Sequence, residues 1–204
     1  INHGVKGPLT LLAAPAGFGK TNLLIEWAEN TPLPVAWLTI DSADNDQGRL
    51  LRYIIGALQT LEPSLGEEAL DFLQSTQGIS GTMLGGVAMA SGVEIGLTLL
   101  INEIAALPKE IVLVLDDFHV LEDSAMIQST GYFLKQLPPN LHLVIASRSE
   151  PVLDLAFLRA KGRVVELDTD DLRFTCEEIG QFFSLAVGLQ LPAETIQTLE
   201  QRTE

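Results

Sequence analysis

The stretch Leu11-Leu12-Ala13-Ala14-Pro15-Ala16-Gly17-Phe18-Gly19-Lys20-Thr21 decides the fold. It opens as an apolar strand, passes through a glycine-containing loop and continues into Asn22-Leu23-Leu24-Ile25-Glu26-Trp27, which has helical character. A strand, a loop ending in Gly-Lys-Thr and a helix make a phosphate-binding P-loop. Backbone N–H groups from Ala16 to Thr21 can turn into one concavity, where the amides and the helix dipole together stabilise negative charge. Gly17 and Gly19 allow that backbone path. Lys20 is expected to reach the β and γ phosphates, and the Thr21 hydroxyl to ligate Mg²⁺. The nucleotide-binding set is then Ala16, Gly17, Phe18, Gly19, Lys20, Thr21 and Asn22, for ATP or ADP. Ala14 stands where the pattern usually begins with Gly. The competing reading is a glycine-rich βα turn in an unrelated α/β protein.

A second stretch reduces that alternative. Ile111-Val112-Leu113-Val114-Leu115-Asp116-Asp117 is a buried-type strand ending in two carboxylates, the Walker B arrangement. Asp116 at the strand's carboxyl end is expected to serve the Mg²⁺ shell beside Thr21, and Asp117 to orient or deprotonate an attacking water. The pair could instead be solvated turn residues or a helix cap. A third apolar strand, Leu141 to Ala146, ends in Ser147 and Arg148, delivering another polar group to the edge where open α/β sheets bind ligands. Arg148 is a candidate catalytic sensor of the γ-phosphate, the alternative being a surface arginine paired with Glu150.

Five strands alternate with helical stretches: Leu9 to Ala14, Val35 to Ile40, Ile111 to Leu115, Leu141 to Ala146 and Val164 to Leu167. Most are continuous apolar runs, as buried parallel strands require. The spacing predicts helices over Thr21 to Glu29, Gln47 to Thr60, Leu97 to Leu107, Ser124 to Gln136, Val152 to Ala160 and Cys176 to Ala186. Thr175 and Glu178 form a capping box for the last of these. Pro192 to Glu204 also looks helical. The fold class is therefore α/β, a three-layer P-loop NTPase with a five-stranded parallel sheet and helices on both faces.

The 204 residues suit one such domain, expected to be excised from a longer chain. With 12 basic against 27 acidic residues, the net charge of -15 repels polyanions and argues against direct nucleic-acid binding by this segment. One cysteine, Cys176, excludes an internal disulfide and fits a reducing, cytoplasmic setting. No signal peptide is legible. Gly78 to Ile101 is long and apolar enough to suggest a membrane span, but its glycines favour a pliable connection, Gly78 to Gly96, leading into a buried helix.

The runs APAGFGKT at Ala14 to Thr21, VAWLTIDSADND at Val35 to Asp46, VLVLDDFHVL at Val112 to Leu121, ASRSEP at Ala146 to Pro151 and LRFTCEEI at Leu172 to Ile179 are distinctive together. The chain resembles the ATPase domain of MalT-type regulators, large LuxR-class transcriptional activators of the STAND group of P-loop ATPases. The resemblance implies an ASCE-type sheet of order 5-1-4-3-2. It also implies a switch between a closed ADP form and a self-associating ATP form, reset by hydrolysis. By the same resemblance Lys20 and Thr21 take the phosphate and Mg²⁺ positions, Asp116 and Asp117 the acidic pair, and Arg148 the sensor. Asp41, Asp44 and His119 match family signatures of less certain role. His119 is read first as a residue shaping the turn, ahead of a general base. Trp37 is read as core rather than a stacking platform, and Phe18 as exposed. The family continues into a winged helix, a repeat sensor and a DNA-binding helix-turn-helix, which are the implied partners within a longer chain.

Two other functions stay open at this level. A rapid-turnover ATPase motor would need a coupling loop, and no ABC-type signature is present. A nucleotide-independent interaction module would have no use for Gly19, Lys20, Thr21 and Asp116 together.

Overall fold

The computed structural model describes residues 7–41, 46–75 and 92–202. The strands are β1 (Leu9–Ala13), β2 (Val35–Thr39), β3 (Ile111–Asp116), β4 (Leu141–Ser147) and β5 (Val164–Leu167). They pair in parallel throughout, in the order β2-β3-β4-β1-β5. Seen from the other edge this is 5-1-4-3-2, the expected order. The interleaving places β4 between β1 and β3, so the P-loop, Asp116 and Arg148 all leave the sheet at one edge, from neighbouring strands.

Side-chain alternation sorts the core into two layers. On one face Leu12, Val112, Val114, Val144 and Ala146 pack with Leu24 and Trp27 of α1 (Lys20–Asn30). On the other face Leu113, Leu143 and Ile145 meet the larger layer. That layer is built from α2 (Gln47–Gln59), α3 (Glu67–Ser75), α4 (Gly92–Ala105) and α5 (Ser124–Lys135). Every residue of β3 and β4 is buried, which explains why their sequences run apolar without alternation.

Helix positions depart from expectation in four places. α3 was not expected; it is short, and its buried face amounts to Ala69 and Leu73 packed in the larger layer. α4 starts at Gly92, before the expected Leu97, and takes Gly96 into its interior. A Cβ on Gly96 would lie 3.0 Å from Leu51 Cδ2, so this glycine serves close helix packing and does not loosen the chain. The remainder of the glycine-rich connection, residues 78–91, lies outside the described residues. α6 (Ala156–Ala160) is shorter than expected, because Pro151 to Leu155 runs irregularly and Val152 is exposed. α7 (Cys176–Phe182) does have the Thr175–Glu178 capping box, but gives way to a π turn over Phe183–Val187 that Gly188 ends at φ 70°. α8 (Ala193–Arg202) follows. Among the described residues no helix is long and apolar enough to cross a membrane.

At the opposite edge from the P-loop, His142 is buried on β4. Its Nδ1 contacts the Gly7 carbonyl and its Nε2 lies 3.0 Å from Thr10 Oγ1. Nδ1–H donating to Gly7 and the Thr10 hydroxyl donating to Nε2 satisfy the neutral ring. Burial pushes the His142 pKa below its ordinary value, opposed by the Gly7 hydrogen bond. The unfolded chain therefore takes up this proton first as pH falls, and stability is lost from about pH 6.5 downward toward the folded-state pKa. Melting temperatures at pH 7.5 and 5.5 should show His142→Gln losing less stability on acidification than the parent. His119 contributes with the same sign, so the slope is reduced and not abolished.

The P-loop and its carboxylate edge

Between β1 and α1 the chain takes the backbone path that glycine permits. Gly17 has φ 91° and Gly19 φ 72°, both in the left-handed region. Gly19 is the N-cap of α1 and supplies no side-chain hydrogen bond. By contrast α2, α5 and α7 are capped by Asp46, Asp123 and Thr175. The first amides of α1 are thus left for an anion, at the positive end of the helix dipole. Ala16, Gly17, Gly19, Thr21 and Asn22 are exposed around this turn, while Phe18 is half-buried, not exposed as expected.

Lys20 is only 8 % exposed, and its Nζ donates to the carbonyls of Ala14 at 2.6 Å and Pro15 at 2.9 Å. Burial lowers its pKa, Asp116 and Asp117 raise it, and Arg148 lowers it further. A cation held across its own loop is partly desolvated, so an anion arriving there would meet an ammonium that water shields poorly.

Thr21 Oγ1 donates to Asp116 Oδ2 at 2.9 Å. Asp116 is 2 % exposed, and its Oδ1 accepts from the Asp117 amide at 2.9 Å. One hydroxyl and one carboxylate, both hard oxygen donors on rigid element ends, form a donor set suited to Mg²⁺. This joins two motifs 95 residues apart in sequence. Asp117 follows with φ 56°, the one non-glycine positive φ among the described residues. That turn directs the chain into a 3₁₀ turn at Phe118–Val120 and brings His119 Nδ1 to 3.7 Å from Asp117 Oδ1. Burial pushes the His119 pKa down, the Arg148 charge adds to this, and Asp117 opposes it. The buried Nδ1 has no hydrogen-bond partner among the described residues.

Arg148 is exposed and forms no ion pair or hydrogen bond among the described residues. Its charge nevertheless acts on both Lys20 and His119. The alternative pairing with Glu150 is not formed; Glu150 Oε1 instead lies 2.5 Å from Arg159 Nη2. Lys20, Thr21, Asp116, Asp117, Arg148 and His119 therefore stand around one edge. Asp41 is exposed at the end of the β2 loop, and Asp44 lies outside the described residues. Trp37 packs partly into the α1-side layer and donates from Nε1 to Thr39 Oγ1, in keeping with a core role. The sequence alone did not disclose Arg159, whose partners come from two other segments.

The chain is 30% identical over all of its 204 residues to the HTH-type transcriptional regulator MalT of Vibrio cholerae serotype O1. The similarity to MalT runs along the whole length of the chain. It spans 21% of that regulator, about a fifth of its length. No protein-family model matches the chain. Among solved structures, Cdc6p from Pyrobaculum aerophilum aligns with 98% of this chain and 50% of its own, at TM-score 0.49 and 16% identity. AMPPCP-bound DnaA from Aquifex aeolicus aligns with 98% of this chain and 51% of its own, at TM-score 0.43 and 17% identity. The MalT-like reading accords with the P-loop sheet order and with the motifs at its carboxyl edge.

Proposed function

We propose that this domain binds ATP with Mg²⁺ and hydrolyses it slowly, as the nucleotide switch of a signal-responsive, cytoplasmic LuxR-class transcriptional regulator. The observation that carries the proposal is the 2.9 Å bond from Thr21 to Asp116, formed beside a buried Lys20 and an uncapped helix N-terminus. A glycine-rich turn with no ligand would have no reason to assemble these groups.

The α1 amides and Lys20 hold the phosphates. Thr21 and Asp116 would hold Mg²⁺, which when bound neutralises charge building up between the β and γ oxygens. Asp117, partly exposed and next in sequence, is positioned to orient a water and accept its proton. Arg148, without a carboxylate partner among the described residues, supplies the cation that distinguishes a triphosphate from a diphosphate. ATP-dependent self-association and coupling to a winged helix, a repeat sensor and a helix-turn-helix belong to this same reading of a longer chain.

Calorimetric titration with ADP and with Mg²⁺-ATP, followed by steady-state phosphate release, tests it. Binding of both nucleotides with turnover well below about one per second is expected, beneath the usual enzyme range. Sustained turnover of several per second would favour a motor, and absence of binding would leave an interaction module. Arg148→Ala is expected to weaken binding of a triphosphate analogue while sparing ADP, because only the third phosphate reaches that cation.

A further inference from the structure

Beside the P-loop, a cleft of about 420 Å³ opens between the ends of β1, β4 and β5 and is bordered by α6. Its walls include Ala14, Arg148, Glu150, Arg159, Glu166 and Asp168. Carboxylates outnumber cations here, as they do over the whole chain. In such surroundings an unpaired arginine tends to be captured by the nearest carboxylate. Glu150 is the natural captor of Arg148, since two residues of chain separate their Cα atoms by at most about 7 Å and both side chains are long. The structure instead occupies Glu150 elsewhere. Arg159 Nη2 lies 2.5 Å from Glu150 Oε1 and 2.5 Å from Glu166 Oε1, and its Nε donates to the same Glu166 oxygen at 3.0 Å.

We propose that Arg159 is a positioning residue for γ-phosphate recognition: by holding Glu150 against β5, it keeps that carboxylate away from Arg148 and leaves the Arg148 guanidinium free for the triphosphate. The inference rests on the nucleotide-switch reading above. Its role is distinct from stability. All three partners are substantially exposed, and exposed ion pairs contribute little to folding. What the cluster controls is which of two arginines Glu150 engages. Glu166 anchors Arg159 to the edge strand through the second contact, so the loop after β4 is tied to β5 at the position where it passes the P-loop.

The test is calorimetric titration of the 204-residue chain with Mg²⁺-ADP and with Mg²⁺ and the non-hydrolysable β,γ-methylene analogue of ATP. Arg159→Ala should weaken the triphosphate analogue about three- to fivefold, the scale expected for one exposed ion pair, and leave ADP unchanged. Adding Glu150→Ala to Arg159→Ala should restore the parental ratio, because the competing carboxylate is gone. Arg159→Lys should retain most of the discrimination, and Glu150→Gln alone should change nothing. Restoration by a second removal is an outcome that a merely structural role cannot produce, and unchanged melting profiles identify folded variants. Equal weakening of both nucleotides by Arg159→Ala, or failure of Glu150→Ala to restore the ratio, overturns the inference while leaving the switch reading intact. A parent chain that binds neither nucleotide overturns both.

Discussion

Replacing Lys20 with alanine is expected to lower the affinity for Mg²⁺-ATP at least tenfold, about 1.4 kcal/mol. The ammonium is the cation placed inside the loop, held there by the Ala14 and Pro15 carbonyls. Charge-assisted bonds to phosphate are about twice as strong as neutral ones, and burial of Lys20 reduces the competing hydration. ADP binding should weaken too, because the β-phosphate lies within the same reach. Truncation also leaves two carbonyls without their donor, one of them on buried Ala14, so some loss of melting temperature is expected. Titration calorimetry on a variant shown to melt cooperatively separates the two effects. Affinity unchanged in a folded Lys20→Ala chain would remove the phosphate cradle from this account.

What the sequence disclosed and what it withheld divide along a physical line. Strand limits were legible to within one residue, because the continuous apolar runs of β3 and β4 arise from burial on both faces. The candidate site was legible as a cluster because its parts sit where strands end, and strand ends are marked by an abrupt change from Leu115 to Asp116 or from Ala146 to Ser147 and Arg148. α3 was not legible, since nine residues with two buried side chains give too little periodicity. Gly92 and Gly96 suggested loop by propensity, yet α4 contains both; packing against Leu51 and Leu73 overrides that preference. The choice of Glu150 for Arg159 over Arg148 was equally hidden. It depends on α6 and β5 folding back beside the loop after β4, a tertiary fact that two neighbouring side chains cannot encode.

Asp117 offers the sharpest separation of catalysis from folding. Its φ of 56° places an L-residue in left-handed backbone, where Cβ crowds the following carbonyl at a cost of roughly 1–2 kcal/mol, lessened for Asp by local hydrogen bonding. Glycine would relieve that strain, but its greater freedom in the unfolded chain costs about 0.5–1 kcal/mol in return. Asp117→Gly is therefore expected to alter folding stability by less than about 1 kcal/mol in either direction, by denaturant titration. Phosphate release, by contrast, should fall on the order of 10²- to 10⁴-fold, the usual contribution of a positioned acid or base. Asp117→Asn should give the same catalytic loss, since asparagine tolerates this backbone yet cannot accept the proton. Nucleotide affinity should survive both changes, because Thr21, Lys20 and Asp116 keep their bonds. Strain retained at a position where glycine would serve the backbone equally well is what the proposed need for a carboxylate at that point in space would account for. An Asp117→Gly chain that hydrolyses at the parental rate would return the residue to the role of a turn former and move the search for the base to the His119 ring, 3.7 Å away.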